Sequence, residues 1–244
     1  MVLGKVEAGT LNFNTVNCID WSIGPVPQTV NGSGRARGYD ASLRRERAEA
    51  SRREVLARAR ELLLSQGFGA TTIAQIARAA GVSPEFVYKN FGGKPGLVRA
   101  IWDQSLLGSG EVPAEQRSDT AQEEATDPHA LMEQFGRFVA EISPIGSPVQ
   151  LLIRDAAASG DDEMAALLEQ VDAARYRRML HNARHVLARG LLRPGLSEAE
   201  IADVFFACTS AELYETLVLK RGWSHERLGE FVARTLAANL VAAP

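Results

Sequence analysis

Few side chains in this 244-residue chain are of types and spacings that suit metal binding or catalysis. His181 and His185 are four residues apart in a predicted helix, which suits a metal ion, but no third ligand is obvious and Arg184 repels a cation. Residues 92–94 (Gly-Gly-Lys) lack the earlier glycine and the following Ser or Thr of a phosphate-binding loop. No nucleophile elbow or acid pair stands out. We therefore predict no metal site, no cofactor and no catalytic residue, and do not expect an enzyme.

Charge provides a stronger signal once the chain is divided. The formal net charge of −3 disfavours a nucleic-acid partner, yet residues 35–102 carry +7 and residues 103–244 carry −9. A basic segment of this kind is typical of phosphate binding. Arginines are concentrated at its start, where an arm headed by Arg35 and Arg37 could follow phosphates or enter a minor groove. Glutamates are interleaved with these arginines, so an ordinary solvated charge run is the alternative.

The elements that would position such a surface are short helices. Apolar spacing and end signals predict helices over residues 42–65, 72–80, 84–91 and 94–107. Between the second and third, residues 81–83 (Gly-Val-Ser) form a tight turn, and a small residue there allows two helices to cross steeply. This pattern predicts a helix-turn-helix whose second helix can enter a DNA major groove. Ala77 would let the helices approach closely, and four residues would fill the space between them: Ile76, Val82, Val87 and Phe91.

The same segment resembles a known family. Residues 67–83 (GFGATTIAQIARAAGVS), residues 87–91 (VYKNF), and Lys94 followed by Leu97 are similar to the DNA-binding domain of TetR-family transcriptional regulators. The resemblance covers about residues 46–102. The segment 211–224, which begins with Ala-Glu-Leu-Tyr and ends with Arg-Gly-Trp-Ser, is also similar to C-terminal domains found in part of that family.

The resemblance implies roles for individual residues. Thr72 would meet a phosphate at a helix N-terminus, and Tyr88 and Lys94 would also contact phosphates. Base reading would fall to five residues of the turn and second helix: Ser83, Pro84, Glu85, Phe86 and Lys89.

Among these readers, Lys89 could donate to guanine, Glu85 could accept from cytosine, and Phe86 could touch a thymine methyl group. The sequence departs from the family pattern at two places. Glu85 and Phe86 replace small or hydroxylated residues, and Pro95-Gly96 replaces an acidic pair, which is expected to weaken the start of the fourth helix.

Beyond residue 127 the chain has helical periodicity, over about 128–143, 147–159, 162–190, 197–221 and 224–242, and no sustained strand alternation. The resemblance implies a homodimer joined by the last two helices and a small-molecule effector bound in this domain. Candidate interface residues form two apolar stripes that could equally be intramolecular core: Ile201, Val204, Phe205, Leu228, Phe231, Val232, Leu236 and Leu240. Candidate ligand-lining residues, which could also be plain core, are Phe135, Phe138, Tyr176, Met179 and Phe206, with Arg175 or His181 as polar handles.

The expected fold is all-α, with an N-terminal three-helix helix-turn-helix domain and a larger C-terminal helical domain for ligand binding and dimerisation. We expect residues 1–40 to be a disordered or loosely docked extension, 41–107 the DNA-binding domain, 108–127 a loop, and 128–244 the regulatory and dimerisation domain. A start at Val30 is an alternative for the N-terminus. Two cysteines, no apolar run of about 20 residues and no signal-peptide pattern favour a cytoplasmic protein with no membrane partner.

Together these features predict a sequence-specific transcriptional regulator, a ligand-responsive repressor that binds a palindromic DNA operator as a homodimer. Three alternatives stay open at this point: control by a protein partner, action as an activator, and an enzyme with an attached helix-turn-helix.

Overall fold

The computed structural model describes residues 34–108 and 112–242, with side chains from residue 43 onward. Its contacts divide the chain into two units, residues 1–44 and 45–244. Residues 1–33, most of the predicted N-terminal extension, lie outside the described residues. Every regular element within the described ranges is a helix, which confirms the all-α prediction.

The N-terminal helices are α1 (Gly34–Gln66), α2 (Ile73–Ala79), α3 (Pro84–Phe91) and α4 (Lys94–Ser105). The following helices are α5 (Ala114–Glu124), α6 (Pro128–Ala158), α7 (Asp162–Ala188), α8 (Glu198–Cys208), α9 (Ala211–Tyr214) and α10 (His225–Leu240). A π-helical segment, Glu215–Leu219, continues directly from α9. The last five helices share one kind of start, a side-chain oxygen that accepts backbone N–H groups. These N-caps are Asp127, Asp161, Ser197, Ser210 and Ser224.

One hydrophobic core joins α1–α4 to the middle of the chain. Val55 of α1 and Leu97 of α4 are fully buried together with Ile153 of α6 and Met164 of α7. The four N-terminal helices therefore do not close a core of their own. They share it with the C-terminal half of α6 and the N-terminal half of α7.

A second core lies at the other ends of α6 and α7. Met132 of α6 and Val186 of α7 are fully buried in it, as are Ile201 of α8 and Leu236 of α10. Because α6 and α7 each pass through both cores, they connect the N-terminal helices to α8 and α10.

The helices α6 and α10 cross with their backbones in close approach at Gly136 and Gly229. A Cβ atom built on Gly136 would lie 2.4 Å from the backbone oxygen of Gly229, and one built on Gly229 would lie 2.6 Å from that of Gly136. No side chain fits between backbones at such a distance, so only glycine allows this crossing.

The segment 108–127, expected to be a loop, contains α5. Hydrophobic periodicity could not reveal this helix because its buried face is small and polar, consisting of Ala114, Ser118 and Gln122. Its start is held by the backbone N–H of Ala114, which donates to Leu107 O at 3.1 Å.

The segments 128–143 and 147–159, expected to be separate, form one helix with Pro144 and Pro148 inside it. A proline removes one backbone hydrogen bond and usually kinks or ends a helix. Here α6 is packed on both sides of the prolines, with Val139 buried before them and Val149 after them. Tertiary packing therefore keeps the helix continuous.

Two other boundaries differ from the expectation. Helix α1 begins at Gly34, eight residues before the predicted start, because its first turns are charged and have no apolar period to mark them. The segment 197–221 is not one helix. Helix α8 ends at Cys208, and Ser210 then caps the start of α9.

We expect Gly136→Ala to lower the free energy of unfolding by about 1–3 kcal/mol, because the new methyl group would overlap the backbone of α10. Urea unfolding of the full chain measures this change. Gly69→Ala is the matched control, since no atom lies within 4 Å of its added Cβ. Equal stability of the two variants would show that α6 and α10 can separate without loss.

Candidate nucleic-acid interface

A tight turn joins α2 to α3 and sets the angle between them. Gly81 has φ +66°, a left-handed conformation that glycine adopts without steric penalty. The backbone N–H of Val82 donates to Ala77 O at 3.0 Å, which closes the turn. Ser83 then starts α3, its hydroxyl accepting the N–H of Phe86 at 3.3 Å.

The two helices are held by the apolar residues that the sequence assigned to the space between them. Ile76, Ala77 and Val87 are at most 1% exposed, and Val82 and Phe91 are partly buried against the same core. The packing orients α3 so that one face is covered and the other is open.

The open face of α3 carries polar side chains. Ser83, Pro84, Glu85, Tyr88 and Lys89 are all exposed. Tyr88 is 56% exposed although it is aromatic, which indicates that the fold does not need its ring. The face therefore presents a hydroxyl group, a carboxylate, a phenol and an ammonium group to solvent.

The carboxylate of Glu85 stays ionised on this face. Its own backbone N–H and the Ser83 hydroxyl donate hydrogen bonds to it, and these lower the pKa of Glu85. A carboxylate at the start of a helix is a hydrogen-bond acceptor that suits a base amino group and repels a phosphate.

Phe86 differs from the other predicted base readers. It is partly buried and packs against the core of α1–α4. Part of its ring therefore supports α3, and its contact with a thymine methyl group stays a prediction.

Thr72 caps α2 in a reciprocal arrangement with Gln75. The N–H of Gln75 donates to the Thr72 hydroxyl oxygen at 3.2 Å, and the N–H of Thr72 donates to Gln75 Oε1 at 2.7 Å. Thr72 is exposed, so the start of α2 is accessible, but its hydroxyl proton is already donated to Gln75 Oε1.

Lys94, predicted as a phosphate contact, is engaged within the chain. Its ammonium group donates to Phe68 O at 2.6 Å and lies 4.2 Å from the centre of the Phe68 ring. These contacts tie the start of α4 to the turn between α1 and α2. Lys94 therefore holds the start of α4 in place, and its contact with a phosphate stays a prediction. Helix α4 also begins at Lys94 despite Pro95-Gly96, and Leu97 N–H donates to Gly93 O at 3.1 Å.

Sequence reasoning did not identify the role of Arg52. From α1 it donates to Asn90 Oδ1 at 2.9 Å and to Asn90 O at 3.3 Å, and its guanidinium lies 4.8 Å from the centre of the Phe91 ring. A cation at the C-terminal end of a helix complements the helix dipole. Arg52 thus holds the C-terminal end of α3 to α1, although the two residues are 38 positions apart in the sequence.

Arg35 and Arg37, the predicted arm, lie in the first turn of α1, and their side chains are outside the part of the chain that the structure describes.

The five predicted ligand-lining residues do not surround one cavity. Phe135 is buried with its ring centre 4.8 Å from that of Phe205. Phe138 is buried beneath the guanidinium of Arg117. Tyr176 packs edge-on against Phe206, and Met179 Sδ accepts a hydrogen bond from Thr209 in the second core.

Concave sites among the described residues of the C-terminal helices include a recess and a cleft. A recess of about 120 Å³ is lined by Arg175 and Phe206, and Arg175 donates to the carbonyls of Phe206 and Thr209. An open cleft of about 660 Å³ lies between α5 and α6, with Arg117 and Arg137 in its walls. Of these two, the cleft has a volume within the range usual for small-molecule sites, about 300–1,000 Å³.

Most of the predicted dimer-interface residues are buried within one chain. The residues with at most 2% exposure are Ile201, Phe205, Leu228, Val232, Leu236 and Leu240. They form the second core, so their stripes cannot be the apolar face that meets a partner. Val204 and Phe231 are partly exposed and remain available for contact with a partner.

The turn geometry, the capped short helices and the open polar face of α3 define a helix-turn-helix DNA-binding domain. No helix in residues 34–108 and 112–242 has the length and apolar character needed to cross a membrane.

Comparison with known proteins agrees with this class. Residues 55–101 match the model of the bacterial regulatory proteins of the tetR family. The Bacillus subtilis HTH-type transcriptional regulator YdeS is 29% identical over 160 residues, which cover 65% of this chain and 71% of YdeS. The solved structure of NalD, the secondary repressor of the MexAB-OprM efflux pump in Pseudomonas aeruginosa, has a TM-score of 0.61 at 21% identity. It matches over 82% of this chain and all of NalD. The SmeT–triclosan complex has a TM-score of 0.64 at 19% identity and covers 79% of this chain and 92% of SmeT.

Residues 55–101 thus form the DNA-binding domain of a TetR-family transcriptional regulator. The two solved structures add likeness of fold, with the N-terminal helix-turn-helix and the helical C-terminal domain in the same order.

We expect Lys94→Met to lower the free energy of unfolding by about 1–2 kcal/mol, since it removes the hydrogen bond to Phe68 O and the cation–π contact. Lys89→Met removes the same charge from an exposed position and should change stability by less than about 0.5 kcal/mol. Chemical denaturation of both variants tests the difference. If the two variants unfold alike, Lys94 does not hold the turn between α1 and α2.

Proposed function

We propose that this regulator is a sequence-specific repressor that binds a palindromic operator as a homodimer and releases it when a small molecule binds its C-terminal domain. The observation that carries the proposal is the exposed polar face at the start of α3, held in place by a buried helix-turn-helix. NalD, which has the same fold, is named as a repressor.

On DNA, the exposed start of α2 at Thr72 and the phenol of Tyr88 contact phosphates and fix the register. Lys89 donates to guanine, and Glu85 accepts from the cytosine amino group, so both read base edges in the major groove. Lys94 and Arg52 act indirectly. Lys94 holds the turn before α2, and Arg52 holds the end of α3. Arg35 and Arg37, in the first turn of α1, add further phosphate contacts.

The dimer forms through the outer faces of α8 and α10. Val204 and Phe231 are the predicted interface residues that a partner can still cover. Phe231 continues into an aromatic patch, since Trp223 lies edge-on to it at 5.7 Å between ring centres. A two-fold axis along this surface would place the two α3 helices about one DNA turn apart, roughly 34–36 Å.

The effector binds in the cleft between α5 and α6, which has the volume for a small molecule. SmeT, a protein of the same fold, has been solved as a complex with triclosan. This location replaces the five residues proposed from sequence, which are divided between the core and a recess too small for such a ligand.

The shared core explains how binding there reaches the DNA. Val98 and Trp102 of α4 pack in the core that contains Val149 of α6. A ligand that moves α6 therefore moves α4, and the operator is released if the displaced arrangement binds the ligand more tightly.

We expect Lys89→Ala to weaken binding to the cognate site by about 1–3 kcal/mol and to relax the base preference at one position of each half-site. Arg221→Ala is the matched control, because it removes one positive charge from an exposed residue of the C-terminal domain. Titrations against the cognate and substituted sites separate the two effects. An equal loss of affinity for every DNA sequence would show that Lys89 contacts a phosphate and not a base.

Selection of bound sequences from a random DNA pool with the full chain should enrich two inverted half-sites whose centres are one helical turn apart. The two-fold arrangement of α3 helices requires that symmetry. Enrichment of a single asymmetric site, or none at all, would contradict the proposal of a dimeric, sequence-specific repressor.

A further inference from the structure

His181 and His185 lie one turn apart on α7 with their ring centres 4.3 Å from each other. The sequence left this pair without a third ligand and placed Arg184 beside it. The structure removes the second objection. Arg184 Nε is 2.8 Å from Glu198 Oε1, so its charge is paired with the start of α8.

A third ligand comes from α5. Asp119 Oδ1 lies 3.3 Å from His181 Nε2, and one ligand atom from each of Asp119, His181 and His185 lies within 4.8 Å of the others. In a tetrahedral zinc site the bonds are about 2.0–2.1 Å long, which places neighbouring ligand atoms roughly 3.3–3.4 Å apart. Small side-chain rotations would bring the three atoms to that geometry.

The charge around the cluster also suits a cation. Arg178 donates to both oxygens of Asp119, at 2.6 and 3.2 Å, and to Glu115 Oε1 at 3.0 Å. The carboxylates of Glu115 and Asp119 carry two negative charges and Arg178 carries one positive charge, so a net charge of −1 lies beside the two histidine rings. Arg178 thus orients the carboxylate, as outer partners of metal ligands do.

We propose that Asp119, His181 and His185 bind one divalent transition-metal ion of the zinc class and link α5 to α7. Two imidazoles and one carboxylate suit zinc or cobalt and not magnesium or calcium. His181 is 42% exposed and Asp119 is 30% exposed, so water can complete the coordination. This inference goes beyond the proposed function and does not depend on DNA binding.

The link matters because α5 is otherwise held to α7 by polar contacts. Gln122 Nε2 donates to Asn182 Oδ1 at 3.2 Å, and Arg189 donates to Gln122 O at 3.0 Å and to the carbonyl of Ala125. Gln122 Oε1 is buried in the same seam without a hydrogen-bond partner. A metal ion would add a strong cross-link to a helix that lacks a large apolar face.

Calorimetric titration of the chelator-treated full chain with zinc chloride tests the site, and cobalt absorption provides a second probe. We expect one ion per chain, with affinity at least tenfold lower in both His185→Ala and His185→Gln. His129→Ala, an exposed histidine at the start of α6, is the matched control and should bind as the parent chain does. Cys208 does not compete, because burial raises the pKa of its thiol to about 11.

Hydrogen exchange gives a structural readout in the same samples. Zinc should slow amide exchange in residues 114–124 of the parent chain and leave it unchanged in His185→Ala, and magnesium should have no effect on either protein. No saturable binding, binding that survives His185→Ala, or zinc binding without protection of α5 would overturn the proposal. Because no DNA is present, these outcomes are independent of whether the operator proposal holds.

Discussion

The contact between the backbones of α6 and α10 at Gly136 and Gly229 is the constraint on which the C-terminal domain depends. Helices normally pack at interaxial distances of about 8–10 Å, set by the side chains between them. With no side chain at either crossing position, α10 lies close against α6, and Leu228 and Val232 on either side of Gly229 enter the second core. That core also contains Phe205 of α8. The position of α8, and of the surface available to a partner, therefore follows from one pair of glycines.

The same helix α6 carries the constraint to the DNA-binding helices. Its Pro144 and Pro148 separate the half in the second core from the half in the core shared with α1–α4. Within this stretch Arg60 of α1 donates to Ile145 O at 2.8 Å, and burial lowers the pKa of that guanidinium. Removing a charged guanidinium from water costs free energy unless it keeps a hydrogen bond, here the one to Ile145 O. The N-terminal helices are thus coupled to α6 both by apolar packing and by one oriented hydrogen bond, at the point where α6 lacks backbone donors.

The helix-turn-helix could be predicted from sequence because its determinants are local. Thr72, Gly81 and Ser83 fix the ends of two short helices within twelve residues, and apolar spacing fixes the buried face. What could not be predicted depends on distant partners or on polar faces. Lys94 meets Phe68 across 26 residues, and Asp119, the carboxylate beside His181, comes from a helix with no apolar stripe. The predicted dimer residues show the opposite problem, because periodicity identifies a buried stripe without saying which surface covers it.

In the folded domain, only part of the positive charge of residues 35–102 is available to bind phosphates. The +7 of residues 35–102 suggested a surface made for phosphates, yet several of these cations stabilise the fold. Arg52 is bound to the end of α3, Lys94 to Phe68 O, and Arg58 pairs with two glutamates on its own helix. An ion that is already paired releases fewer counterions on binding DNA. In the recognition that we propose, exposed Lys89 consequently carries more of the DNA contact than the total charge suggests. The paired cations contribute by holding α3 in the orientation that presents Lys89.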